Sequence, residues 1–198
     1  MQQLLHQIRQ CVVCKTFLPG LPRPVLQAGT KAKIIIIGQA PGKKVDETGI
    51  PWDDASGNEL RRWLGVAKEQ FYNDTLVALV PMGFCYPGKG PSGDLPPRPE
   101  CAPLWHQQIL QNMQQVKLIL LIGHYAQKHY LGENFKPTLT ENVKSFKAFL
   151  PTYLPLVHPS PRNRIWQKKN PWFETEVVPA LQAIVKAAIV ENSSKSEV

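Results

Sequence analysis

Lys33-Ile34-Ile35-Ile36-Ile37-Gly38-Gln39-Ala40-Pro41-Gly42 is the stretch that decides the fold. Four consecutive β-branched residues that end at a glycine read as a strand buried on both faces, the pattern of a parallel sheet covered by helices on either side. The turn that follows carries glycines at both ends, which permit close backbone approach to a ligand. Leu76–Val80 repeats the strand reading, as do Leu118–Ile122 ahead of Gly123 and the shorter run Tyr153–Val157 ahead of His158. Helical patterns alternate with them: Leu60, Trp63, Leu64 and Ala67 with Ser56 as N-cap, then Leu104–Val116, Tyr125–Leu131 and Phe173–Val190. This alternation predicts an α/β fold, a three-layer α/β/α sandwich around a mostly parallel, four-stranded central sheet.

The 198 residues suffice for one full core, read as a single domain over residues 1–191 with a polar, disordered tail at 192–198. Apolar runs such as Leu118–Ile122 fall far short of a bilayer span, and Met1–Arg9 lacks the apolar stretch of a secretory leader. The expectation is therefore a cytoplasmic monomer with no membrane partner. Lys and Arg outnumber Asp and Glu by 23 to 15, and a charge of +8 favours an anionic partner, nucleic acid first. The 19 prolines cluster at Pro87–Pro103 and Pro151–Pro161, which read as ordered functional loops.

In such sheets ligands bind beyond the C-terminal ends of the strands. The segments that leave those ends are Gly38–Gly42, Pro81–Cys101, Gly123-His124 and His158-Pro-Ser-Pro-Arg-Asn163. Four cysteines form a second pattern: Cys11 and Cys14 with two residues between, then Cys85 and Cys101 with fifteen between. In a cytosolic chain such a set favours a metal or cluster over disulfides. Lys15 stands where a c-type haem motif needs His, and Cys11 precedes the first strand where a thioredoxin pair would follow one. A 4Fe–4S cluster and zinc both remain compatible with the spacing.

Taken in order from Cys11 to about Asn163, these motifs resemble the uracil-DNA glycosylase superfamily, and most of all its iron–sulfur, family 4 branch. That branch has a G-E-x-P-G motif after the first strand, an H-P-S motif after the last and a cysteine quartet of like spacing. The resemblance implies a DNA repair enzyme that flips out uracil or a related deaminated or modified base, from single- or double-stranded lesion-containing DNA, and hydrolyses its N-glycosidic bond. It implies a 4Fe–4S cluster on Cys11, Cys14, Cys85 and Cys101, with zinc as the alternative. Gly49-Ile-Pro-Trp52 stands where the branch has G-R-P-F, so Trp52 is the expected stacking platform for the base.

The departures are as informative. Gln39 replaces an acid in the first motif, and Ala40 stands where other branches carry the water-activating Asp or Asn. Motif one thus offers backbone groups and an amide at the base. Asp46, where the branch often has an acid, is the expected water-positioning group, with Gln39 and motif-one carbonyls as further acceptors. Pro81 occupies the position of the Asn that reads uracil, so base selectivity is expected to differ from that of the typical iron–sulfur enzyme.

The chemistry fits these residue types. Cleavage leaves a uracil anion and an oxocarbenium-like sugar, and His158 can donate to the base O2 as charge develops there, as a neutral imidazole. Ser160, Arg162, Asn163 and Arg164 are the expected DNA contacts, with Trp166 as a stacking group and Lys168 and Lys169 extending the charge. Two other readings compete: a non-catalytic iron–sulfur nucleic-acid-binding protein on the same fold, and a nucleotide-handling hydrolase. No phosphate-loop or dinucleotide fingerprint supports the latter.

Overall fold

A computed structural model describes residues 1–91 and 93–190. The domain boundary expected at 191 and the tail at 192–198 lie outside the described residues. The chain runs α1 (Gln2–Arg9), β1 (Ile34–Ile37), α2 (Lys43–Thr48), α3 (Ala55–Leu64), α4 (Lys68–Phe71), β2 (Val77–Leu79), the hairpin β3 (Lys89–Gly90) and β4 (Gly93–Asp94), α5 (Gln107–Gln111), β5 (Leu118–Ile122), α6 (His124–Leu131), α7 (Leu139–Lys144), β6 (Tyr153–Leu156), α8 (Arg164–Lys169) and α9 (Val178–Val190).

The central sheet has the order β2-β1-β5-β6 and is parallel throughout. Strand β1 is interior, with Ile34 opposite both Val77 and Leu118. Its four isoleucines are at most 1% exposed, which the uninterrupted apolar run requires. Alternate side chains divide them between two cores. Ile34 and Ile36 pack with Leu60 and Trp63 of α3 and Leu181 and Val185 of α9; Ile35 and Ile37 pack with Leu5 and Ile8 of α1, Ile109 of α5 and Ala126 of α6. The sandwich expected from sequence is therefore present, and its sheet is wholly parallel. The outer edge of β2 is covered by a bridge in which Gln27 and Leu79 exchange backbone hydrogen bonds of 3.0 and 2.7 Å. Among the described residues no helix is long and apolar enough to cross a membrane.

Several local expectations are corrected. Ser56 lies inside α3, and the cap is Asp54, whose side chain accepts from the Gly57 N–H at 2.8 Å. Helix α3 stops at Leu64 because Gly65 adopts a left-handed conformation, and Ala67 caps the next helix instead of continuing this one. The helix read over Leu104–Val116 begins with a π turn at Ala102–His106 and ends at Gln111. The β3–β4 hairpin and helices α2, α7 and α8 are too short or too polar to give a periodic signal, whereas α1 buries Leu4, Leu5 and Ile8 at helical spacing.

The chain leaves β1 toward β2 on one side, and β5 lies on the other, so the C-terminal end of β1 sits at the point where the strand order reverses. Trp63 anchors the helix that flanks this end: it is fully buried, its Nε1–H donates to Glu59 at 2.9 Å, and its ring meets Phe173 edge-on at 4.8 Å. Trp63→Ala should destabilise the fold by about 3–5 kcal/mol. Urea unfolding checks this; an unshifted midpoint would remove Trp63 from the core.

Candidate active site

The loop after β1 is welded to the loop after β2. Met82 N–H donates to the Gly38 carbonyl at 2.9 Å and Gly83 N–H to the Gln39 carbonyl at 3.0 Å. The Trp52 indole lies on Gly38, where a Cβ would meet its Cζ2 at 2.9 Å. Trp52 itself has φ +58°, a left-handed conformation rare for a bulky residue and worth on the order of 1–3 kcal/mol of strain. Neighbours over-determine it. The Tyr72 hydroxyl donates to the Pro51 carbonyl at 3.0 Å, and the Trp52 carbonyl sits where a Cβ on Gly57 would be only 1.8 Å away.

The ring that this backbone holds out stacks on His158, with centroids 5.6 Å apart and planes at 28°. His158 leaves the end of β6 and its carbonyl accepts from Asn163 Nδ2 at 2.7 Å, which fixes the loop from within. Burial pushes the imidazole below its ordinary pKa, with the charges of Asp54 and Asp94 opposing the shift, so a neutral ring is favoured at physiological pH.

Around this pair lies a cavity of about 490 Å³ lined by Gly38, Gln39, Ala40, Pro41, Gly42, Trp52, Asp54, Ser56, Pro81, Lys89, Asp94, His158, Ser160 and Arg162, among others. Of the residues singled out from the sequence, His158, Gln39, Ala40, Trp52, Ser160 and Arg162 all line this cavity. Others do not. Asp46 lies on α2 and leaves the cavity wall to its neighbour Val45. Asn163 reaches the site only through the His158 carbonyl, and Arg164 is exposed on α8, its charge acting on Glu59. Trp166 is no free stacking group: its Nε1–H donates to Thr140 at 2.8 Å and its ring packs edge-on against Trp172 and Phe173. Its helix instead exposes Ile165, at 69%.

Two polar groups are partly committed. Gln39 Nε2 donates to the Leu95 carbonyl at 3.0 Å, which ties motif one to the hairpin exit and leaves the amide oxygen and the second N–H for a ligand. Pro81 lacks an N–H, and its carbonyl lies 3.0 Å from His106 Nε2, whose Nδ1 is 2.6 Å from the Tyr130 hydroxyl. A carbonyl can only accept, so Nε2 carries the proton and Nδ1 accepts from Tyr130. Burial lowers the His106 pKa to about 4, which keeps that tautomer neutral. Pro81 therefore presents an apolar ring to the cavity. Sequence reasoning missed Asp54, Ser56, Lys89 and Asp94 as wall residues; acids such as Asp53-Asp54 ahead of a helical pattern are equally the signature of a helix start.

Cys11, Cys14, Cys85 and Cys101 line a second, small pocket with Phe84, Arg98 and Trp105. Burial raises Cys85 to about 12 and Cys101 to about 11, and the nearby thiols add to the shift. Cys14 donates to Glu100 at 3.5 Å; Glu100 pairs with Arg98, whose guanidinium lies 4.2 Å over the Phe17 ring. Among the described residues no three His, Cys, Asp or Glu side chains converge as a single-ion site.

A stacked Trp–His pair thus stands beside a cavity at the strand ends of a parallel sheet in an α/β protein. The family model described as the Uracil DNA glycosylase superfamily matches residues 26–182, and the chain belongs to that superfamily. It is similar to the Type-4 uracil-DNA glycosylase of Sulfurisphaera tokodaii, with 24% identity over 159 residues; the match takes in 74% of this chain and 66% of that relative. A solution NMR structure from Methanosarcina acetivorans, described as a uracil DNA glycosylase, aligns with TM-score 0.44 and 16% identity over 81% of this chain and 98% of that one.

Gly57→Ala tests the support beneath Trp52. In an ordinary helix Ala exceeds Gly by about 1 kcal/mol. Here the methyl would strike the Trp52 carbonyl, so the substitution should lower the melting temperature and perturb Trp52 fluorescence; a gain in stability would contradict the packing described.

Proposed function

We propose that this protein is a DNA glycosylase that extrudes a deaminated or modified base and hydrolyses its N-glycosidic bond. The observation that carries the reading is the stacked pair of Trp52 and His158 on a 490 Å³ cavity at the strand ends, one ring to hold a base and the other to meet its developing charge. Membership of the superfamily and the likeness to a Type-4 enzyme support it. The extruded base stacks on Trp52, and His158 donates from a neutral imidazole to the carbonyl oxygen that becomes anionic as the bond breaks. Ser160 and Arg162 on the cavity wall, with Arg164, Lys168 and Lys169 on α8, receive the phosphates. Ile165, exposed one turn before those lysines, is the wedge into the base stack, on a helix whose packed Trp166 is not free to stack.

Base selectivity follows from the Pro81 wall. With its carbonyl turned to His106 and no N–H, Pro81 offers no partner to a base edge, and the amide of Gln39, with its oxygen and second N–H, is the nearest reader in motif one. Selectivity broader than uracil alone is the consequence. Single-turnover excision from oligonucleotides carrying uracil, hypoxanthine or xanthine tests the reading. Activity on more than one lesion is expected, with His158→Ala slower by roughly 100- to 1000-fold at similar DNA affinity. No excision from any lesion, with binding retained, would leave the non-catalytic nucleic-acid binder.

The four cysteines are the proposed ligands of a 4Fe–4S cluster. Four thiols that line one pocket, together with the likeness to a Type-4 enzyme, support that assignment. When bound, the cluster supplies bracing: it ties the segment before β1 to the Pro81–Cys101 loop. Protein purified without oxygen should be brown, with iron and sulfide near four each per chain. Stoichiometric zinc without iron would overturn this assignment.

A further inference from the structure

The expected water-positioning group, Asp46, does not line the cavity, and the first motif has little to replace it. The carbonyls of Gly38, Gln39 and Gly42 already accept from Met82, Gly83 and Asp46 backbone N–H groups. Gln39 and Ala40 supply no carboxylate. The wall carries two, Asp54 and Asp94.

They differ in how firmly they are held. Asp94 is exposed at the end of the hairpin, and no hydrogen bond or ion pair among the described residues fixes its carboxylate. Asp54 is half-buried and caps α3: Oδ1 accepts the Gly57 N–H at 2.8 Å, which clamps the carboxylate plane, while among the described residues no such bond engages Oδ2. It stands two residues from Trp52, on the backbone that the left-handed turn at Trp52 directs, and both Asp54 and Asp94 act electrostatically on His158. An acceptor works in catalysis when its geometry is set before the substrate arrives.

Resting on the glycosylase reading, we infer that Asp54 is the catalytic carboxylate, holding the attacking water with Oδ2 and facing the positive charge that grows on the sugar. The water oxygen bonds to the anomeric carbon as the carbon–nitrogen bond breaks. The bonding pair leaves with the base, stabilised by His158. The water proton passes to Asp54 and then, through solvent, to the released base. One residue therefore serves as helix cap with one oxygen and as catalyst with the other.

The two duties can be separated, because Asn and Ser cap a helix about as well as Asp. Asp54→Asn and Asp54→Ser should both melt with the wild type and bind an oligonucleotide containing 2′-fluoro-2′-deoxyuridine, which resists cleavage, with wild-type affinity. Their single-turnover rates on the best lesion should fall by about 100- to 10,000-fold. An active wild type whose Asp54→Asn variant excises at the wild-type rate would overturn this assignment alone. So would a loss confined to Asp94→Asn, or variants that weaken binding but cleave normally once saturated. A wild type that excises nothing would overturn the glycosylase reading and this assignment together.

Discussion

A strand with no wettable face and no free edge is the constraint on which the rest of the molecule depends. Ile34–Ile37 must be paired on both sides and covered on both faces, and each of those demands recruits a named part of the chain. Burial of each isoleucine is worth about 1.5–3 kcal/mol, so a polar intrusion on either side would forfeit a sizeable part of a typical domain's stability. Pairing on both sides also means that the strand order reverses at its C-terminal end. Gly38 is the first residue released from that burial, and the cavity begins there.

Much of this was legible because burial on two faces writes itself as continuous hydrophobicity. The four strands lie within a residue of their expected limits, and His158, Trp52, Gln39 and Ala40 sit on one cavity as their motifs implied. What could not be read depends on contacts between distant segments. Nothing near Trp166 in sequence reveals that Thr140 and Phe173 hold it against the core. Nothing near Asp46 reveals that α2 carries its carboxylate off the wall, and nothing near Pro81 reveals that His106, 25 residues on, takes its carbonyl. Ser56 was misjudged for a local reason: Asp54 is an equally good cap two residues earlier, and only the geometry chooses between them.

The site is built from conformations that would not persist alone. Trp52 holds a left-handed backbone because Gly57 and Gly38 leave room on both sides and Tyr72 fixes the preceding carbonyl. Remote packing thus maintains local strain, and the two glycines are as much part of the platform as the indole they support. The same economy governs the Pro81 wall, where a buried histidine tautomer holds a carbonyl away from the cavity.

The contact between Trp52 and His158 has a thermodynamic consequence for occupancy. The imidazole centroid lies 5.6 Å from that of the indole, so on the glycosylase reading a flat ring that stacks on Trp52 exchanges part of this contact for its own while His158 stays at its edge. Stacking a base is worth about 1–3 kcal/mol and an aromatic pair about 0.5–1.5 kcal/mol, so capture becomes an exchange with a small net balance. On that reading the pocket would grip its guest loosely and reset itself, because the departing ring gives the indole face back to a side chain tethered beside it.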